Sequence, residues 1–148
     1  MRILVDADAC PVVDSTIRIA KRYQIECILF CDTAHEMRRE GAETVVLPKG
    51  ADSVDFALVN RAKRGDLVIT QDYGLAAMCL ARGCRVLRQD GVEYTDRNID
   101  GMLATRHIAR EVRRAGGRTK GPHARTKEQD RAFERALGRI CAEMAADG

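Results

Sequence analysis

Short runs of apolar residues alternate along this chain with stretches whose apolar positions recur at helical spacing. Arg2-Ile3-Leu4-Val5 runs without a polar interruption into Asp6, the pattern of a strand covered on both faces. Ile25 to Phe30, Thr44-Val45-Val46-Leu47 before Pro48, Leu67-Val68-Ile69-Thr70 and Cys84-Arg85-Val86-Leu87 repeat it, giving five predicted strands. Val13, Ile17 and Ala20 predict a helix near 11–22, with Pro11 in its first turn, where the missing N–H costs nothing. Val54, Leu58 and Ala62, flanked by Ala57 and Arg61, predict a second near 53–63, and Leu75 to Ala81 a short third closed by Gly83. Strands alternating with helices imply right-handed crossovers and an α/β fold, a mostly parallel sheet of about five strands with helices on both faces.

Beyond residue 90 the pattern is helical only. Ile99, Met102, Leu103 and Ile108 predict a helix near 97–114, and Phe133, Leu137, Ile140 and Met144 another near 127–145. Between them Gly116-Gly117-Arg118-Thr119-Lys120-Gly121-Pro122 reads as a mobile loop. At 148 residues the chain fits one domain, 1–90 forming the α/β core and 91–148 a helical extension.

Charge sharpens that division. Between Arg106 and Arg139 eleven basic residues stand against four acids, a net +7, which leaves −4 for the rest of a chain whose total is +3. An acidic portion beside a cationic one suits a polyanion that bridges them, although Arg-rich helices also simply solvate a surface. With 45% apolar residues, no apolar run near the ~18 residues of a membrane span, and an acid too early for a signal peptide, a cytoplasmic protein without a membrane partner is expected. Six cysteines without paired CxxC spacing predict reduced, mostly buried thiols. Homo-oligomerisation is left open.

The candidate chemistry lies in three aspartate-bearing segments, Val5-Asp6-Ala7-Asp8-Ala9-Cys10-Pro11, Gly50-Ala51-Asp52-Ser53-Val54-Asp55 and Thr70-Gln71-Asp72-Tyr73-Gly74. Carboxyl ends of parallel strands open onto one crevice, so acids from distant segments meet there. Carboxylates gathered that way repel unless a cation sits among them. Asp6 and Asp72 each follow a buried strand, and an ionised group at that margin needs a partner. Asp8 reaches the same side if the backbone stays extended, with an Asx-turn as its alternative. Asp52 and Asp55 share a helical face; Asp52 suits an N-cap or the site, and Asp55, fixed within the first turn, is the better ligand. Asp66 precedes its strand and reads as turn chemistry at the opposite edge. Hard carboxylate oxygens in such a cluster suit Mg²⁺ or Mn²⁺.

Asp6 after the first strand, an acid on a later helix and Thr70-x-Asp72 after the fourth resemble the PIN-like nuclease fold. More closely, Val5 to Pro11, Gly65-Asp66 through Thr70-Gln71-Asp72-Tyr73-Gly74-Leu75-Ala76, Asn98-Ile99-Asp100, Arg106-His107 and Gly116 to Pro122 resemble the bacterial YaiI/YqxD family (UPF0178, DUF188) along nearly the whole chain. The resemblance implies a PIN-like fold and, by analogy, phosphodiester hydrolysis with Asp6, Asp8, Asp55 and Asp72 as metal ligands and catalytic residues. PIN nucleases often carry a further acid just beyond Thr-x-Asp, where this chain has Tyr73-Gly74, so Asp8 is expected to supply that charge.

The expected reaction is hydrolysis by water activated by Mg²⁺ or Mn²⁺, with Thr70 orienting Asp72 or contacting phosphate and Tyr73 beside the site. Cys10 is a poor nucleophile there, since neighbouring carboxylates suppress its thiolate. Arg118, Lys120, Arg125 and Lys127 on or beside the glycine-rich loop, with Arg106 and His107, are the expected grip on nucleic acid, and RNA is preferred to DNA on the family analogy. With 4% aromatic residues, stacking on several bases is poorly provided for and backbone recognition is expected. Two alternatives stand: a haloacid-dehalogenase-like phosphatase with Asp6 as nucleophile and Asp8 as general acid, and a nucleic-acid-binding protein whose acids are vestigial.

Overall fold

A computed structural model describes residues 1–50, 52–116 and 124–147. Its centre is a six-stranded sheet in the order β3-β2-β1-β4-β5-β6. These strands are β1 (Arg2–Asp6), β2 (Glu26–Asp32), β3 (Glu43–Leu47), β4 (Leu67–Ile69), β5 (Arg85–Leu87) and β6 (Glu93–Tyr94). The first five pair in parallel, and β6 adds one short antiparallel edge that the sequence pattern did not predict. Two residues are too few to display a period.

The helices are α1 (Val13–Arg22), α2 (Ser53–Arg61), α3 (Tyr73–Ala81), α4 (Asp96–Arg114) and α5 (Lys127–Asp147), and a 3₁₀ turn spans Thr33–His35. Pro11 does not enter the first turn of α1. The chain folds back on itself first, with Cys10 N–H on Ala7 O at 3.1 Å, and the first helical bond runs from Thr16 N–H to Val12 O at 2.9 Å. Ala9 turns that corner with φ at +56°, a conformation costing a non-glycine residue about 1 kcal/mol.

Alternation within each strand splits the core in two. Ile3, Val5, Leu29, Ile69 and Leu87 pack with α1 and α5, while Leu4, Ile28, Phe30, Val68 and Val86 pack with α2, α3 and the start of α4. Both faces are covered, which is why these strands read as unbroken apolar runs. The α5 stripe that the sequence predicts, Phe133, Leu137, Ile140 and Met144, is buried in the first of these layers. A capping box starts that helix: Gln129 N–H donates to Thr126 Oγ1 at 3.2 Å, and Thr126 N–H to Gln129 Oε1 at 2.9 Å. Gly91, in the turn before β6, allows α5 to approach; a Cβ there would stand 2.6 Å from Ala132 O, and its φ is +91°. Among the described residues no helix is long and apolar enough to cross a membrane.

Candidate functional site

Strand order reverses between β1 and β4, and the crevice at such a switch point collects whatever follows those two strands. Asp6 closes β1 and Asp72 is the N-cap of α3, two residues beyond Thr70, which directly follows β4. Thr70, fully buried, joins them: its hydroxyl donates to Asp6 Oδ2 at 2.8 Å and accepts from Asp72 N–H at 3.0 Å. Asp72 Oδ1 accepts from Leu75 N–H at 3.0 Å, so its carboxylate serves the α3 terminus and the crevice together. Thr70 therefore ties the Asp6 carboxylate to the backbone at Asp72 rather than standing as a bare strand residue.

Burial pushes the Asp6 carboxyl from 3.8 up to about 6; the Thr70 hydrogen bond opposes the shift, and Asp55, Asp8 and Asp72 each add to it. Asp6 lies on the Leu4 side of the strand by alternation, the side covered by α2 and α3, which is why Asp55 and Asp72 act on it. Asp55 is in the first turn of α2, and burial raises its carboxyl too, followed by the charges of Asp72 and Asp52. Among the described residues, the charges that act on these two acids are those of other carboxylates. Asp52 is exposed, in the left-handed region with φ at +62°, and its side chain makes no capping bond, so the expected cap contact is absent. Its backbone carbonyl accepts the ordinary first helical bond, from Phe56 N–H at 2.9 Å.

Asp8 turns toward the neighbouring strand. Its Oδ1 accepts from Asp32 N–H at 3.4 Å and stands 3.8 Å from His35 Nδ1, and burial raises its carboxyl. Asp32 in turn caps the 3₁₀ turn through Ala34 N–H and His35 N–H, both at 2.9 Å, and meets His35 Nδ1 at 2.9 Å. The hydrogen bond from His35 holds the Asp32 carboxyl below its ordinary value. Among the described residues, Asp8, Asp32 and His35 are the one trio whose ligand atoms lie within 4.8 Å of one another; no three of Asp6, Asp8, Asp55 and Asp72 do. Asp32 and His35 escaped the sequence reading, although Asp32 follows its strand as Asp6 and Asp72 follow theirs.

Cys10 is a thiol, as are the other five cysteines, five of the six being buried. Burial more than the nearby acids pushes Cys10 up to about 11, so the expected inertness holds with a different main cause. Tyr73, the first residue of α3, meets Tyr94 edge to face with centroids 5.9 Å apart. Ala9, Pro11, Gln71, Tyr73, Arg88, Gln89, Asp90, Arg125 and Gln129 line a cleft of about 430 Å³, and two of them, Ala9 and Tyr73, are the chain neighbours of Asp8 and Asp72.

The basic residues fall in several places. Arg125 is committed, with Nε on Asp130 Oδ1 at 2.6 Å and Nη2 on Gln89 O at 2.6 Å. Lys127 is exposed at the start of α5. Arg118 and Lys120 lie outside the described residues, as do the side chains of Arg106 and His107 on α4. Asp66 sits at the far edge of the sheet, 2% exposed and paired with Arg2 at 3.0 Å.

A family model described as "Uncharacterized BCR, YaiI/YqxD family" matches residues 4–143. A UPF0178 protein of Exiguobacterium sibiricum is 52% identical over 97% of this chain and 98% of its own length. That of Ruminiclostridium cellulolyticum is 51% identical over 93% of this chain and 90% of its own length, and that of Clostridium acetobutylicum 48% identical over 95% of this chain and 96% of its own length. No solved structure matches.

Proposed function

The chain belongs to the YaiI/YqxD family, UPF0178, and from its acidic crevice we propose that it is a PIN-like, metal-dependent nuclease that hydrolyses phosphodiester bonds, RNA in preference to DNA. One observation carries the reading: among the described residues, the charges that act on Asp6 at the switch point of the sheet are the carboxylates of Asp55, Asp8 and Asp72. Structural acids acquire an arginine, a lysine or several N–H donors, whereas acids that hold a divalent ion are left facing one another.

The donor set fits Mg²⁺ or Mn²⁺, hard ions that take carboxylate oxygens and keep several waters, so acids too widely spaced for direct ligation by three at once still serve. Asp6, Asp55 and Asp72 would hold the ion, with Asp8 at the rim. When bound, it would lower the pKa of water and neutralise charge developing on phosphate. Thr70 fixes the Asp6 carboxylate through its hydroxyl and the start of α3 through Asp72 N–H. Asp6 is half-buried, and the proton that its raised carboxyl takes up would be displaced as the ion enters. Outlying cations such as Lys127 would hold the strand by its phosphates.

Purified protein is expected to cleave single-stranded RNA with Mg²⁺ or Mn²⁺, to stop in EDTA, and to lose at least ~1000-fold in rate as Asp6→Asn, with circular dichroism unchanged. Equal cleavage by that variant would overturn the assignment. No phosphoenzyme is expected on Asp6, which separates hydrolysis from the phosphatase alternative. Strand binding that survives Asp6→Asn and Asp72→Asn, with no cleavage at any Mn²⁺ concentration, would identify a binding protein with a vestigial site.

A further inference from the structure

We infer that the cleft between the start of α3, the β5–β6 turn and the start of α5 is a pocket for a single nucleobase, seating one unstacked base of the strand whose phosphate lies at the acids. The inference rests on the nuclease reading for its location and on the chemistry of the cleft for its ligand.

Two arginines line the cleft, yet neither is free to grip a phosphate. Arg88 is held by both oxygens of Asp90, at 2.8 Å each, and Arg125 by Asp130 and the Gln89 carbonyl. Each positive charge is matched inside the wall, so the cleft offers an anion little net attraction. What remains is neutral and polar. Gln71, Gln89 and Gln129 present three side-chain amides, and Gln89, only 3% exposed, is built into the floor.

Their hydrogen bonds are partly spent in a way that leaves a defined remainder. Gln71 Nε2 donates to Gln89 Oε1, so Gln71 Oε1 and Gln89 Nε2 have no hydrogen-bond partner among the described residues. Gln129 Oε1 accepts from Thr126 N–H in the capping box, which leaves Gln129 Nε2 without a hydrogen-bond partner among the described residues. One acceptor and two donors on planar amides complement the edge of a base, whose donors and acceptors are also coplanar. Tyr73 supplies the aromatic wall, its ring pinned edge-on by Tyr94. The Tyr94 hydroxyl is the one buried side-chain oxygen or nitrogen without a partner among the described residues, and its ring meets Tyr73 of the same wall. Single-stranded recognition commonly splays out a base in this manner, stacking it on one aromatic and reading its edge with amides. Amide readout adds base preference where the sequence, with few aromatics, pointed to backbone recognition alone.

The test compares the four nucleoside 5′-monophosphates with ribose 5-phosphate, titrated in EDTA and followed by amide chemical shifts in heteronuclear NMR. At least one nucleotide is expected to bind tenfold or more tightly than the sugar phosphate, shifting the amides of Gln71, Gln89 and Gln129. Gln71→Leu, at the cleft surface, is expected to remove most of that advantage while leaving the spectrum elsewhere unchanged, and Gln129→Leu, which also removes the side-chain half of the α5 capping box, to do the same with further shifts confined to the first turn of α5. Four nucleotides that bind no better than ribose 5-phosphate, or not at all, overturn the pocket, and so does an advantage that both variants retain. Cleavage without any base advantage would sink the pocket and spare the nuclease; a base advantage without cleavage would do the reverse.

Discussion

Asp66 and Asp6 stand at opposite ends of the same two neighbouring strands, and the chain treats them in opposite ways. Asp66, just before β4, is 2% exposed and surrounded by donors: Arg2 N–H at 3.0 Å, Arg2 Nη2 at 3.0 Å and Lys63 N–H at 2.9 Å. Asp6, at the end of β1, accepts from one hydroxyl and otherwise, among the described residues, is acted on by carboxylates. Desolvation is met by a full set of partners at one edge and left unmet at the other. An acid supplied with everything it needs belongs to the architecture, whereas one held in place but short of a counter-charge is set up for a ligand.

The sharpest way to break this contrast is to neutralise Asp66. Asp66→Asn leaves the Arg2 guanidinium, itself mostly covered, with the Arg61 carbonyl but without its carboxylate. Removing one partner of a buried pair is expected to cost about 3 kcal/mol, a fall of roughly 10 °C in Tm for a chain of this size. Cleavage per folded molecule should not change. Thermal melts check the first expectation and active-site titration the second; a variant as stable as the parent would mean that Asp66 is not a structural acid.

Asp6 should behave in the opposite sense. Its folded-state value, about 6, lies above the 3.8 of the unfolded chain, so between those limits the folded protein keeps a proton that the unfolded chain releases. Stability of the metal-free protein is therefore expected to fall as pH rises from about 4 to about 6, by roughly 2 kcal/mol from this group after discounting for partial exposure. Asp55 and Asp8, raised in the same direction, act with it. Urea melts in EDTA should show a slope over this range that flattens in Asp6→Asn, and that variant should be the more stable protein at pH 8. Mn²⁺ should restore stability above pH 6 and do little at pH 4. Parallel slopes for parent and variant would place the strain elsewhere.

Much of this was legible beforehand because strands covered on both faces leave unbroken apolar runs, and an acid directly after such a run is conspicuous. Asp6 and Asp72 were found in that way, and Asp55 through its place one turn into a helix. Asp32 carried the same signal after β2 but was missed, because the apolar run was ended at Phe30 while the strand continues through Cys31 and Asp32. His35 had no signal of its own; a 3₁₀ turn of three residues brings it back to Asp32. The cleft was not legible either. Gln71, Gln89 and Gln129 come from three segments that meet only because Gly91 lets the β6 turn press against α5. A pattern along the chain reports which way a residue faces, not which distant residue it will face.

The smallest effect should come from Thr70, and it bears directly on how Asp6 is held. Thr70→Val preserves shape in a site with no exposure but deletes the hydroxyl that donates to Asp6 and accepts from Asp72 N–H. The stability cost is expected to be about 1 kcal/mol, the net worth of ordinary hydrogen bonds. The more telling change is in pH dependence. That hydroxyl lowers the Asp6 carboxyl, so without it Asp6 takes up a proton more readily, and the acid limb of the cleavage profile should move to higher pH. Thr70→Ser, which keeps the donor, should leave the limb where it is. If Val and Ser variants lose rate equally with no displacement of the profile, Thr70 is packing alone, and the one partner distinguishing Asp6 from a merely strained acid has no bearing on its ionisation.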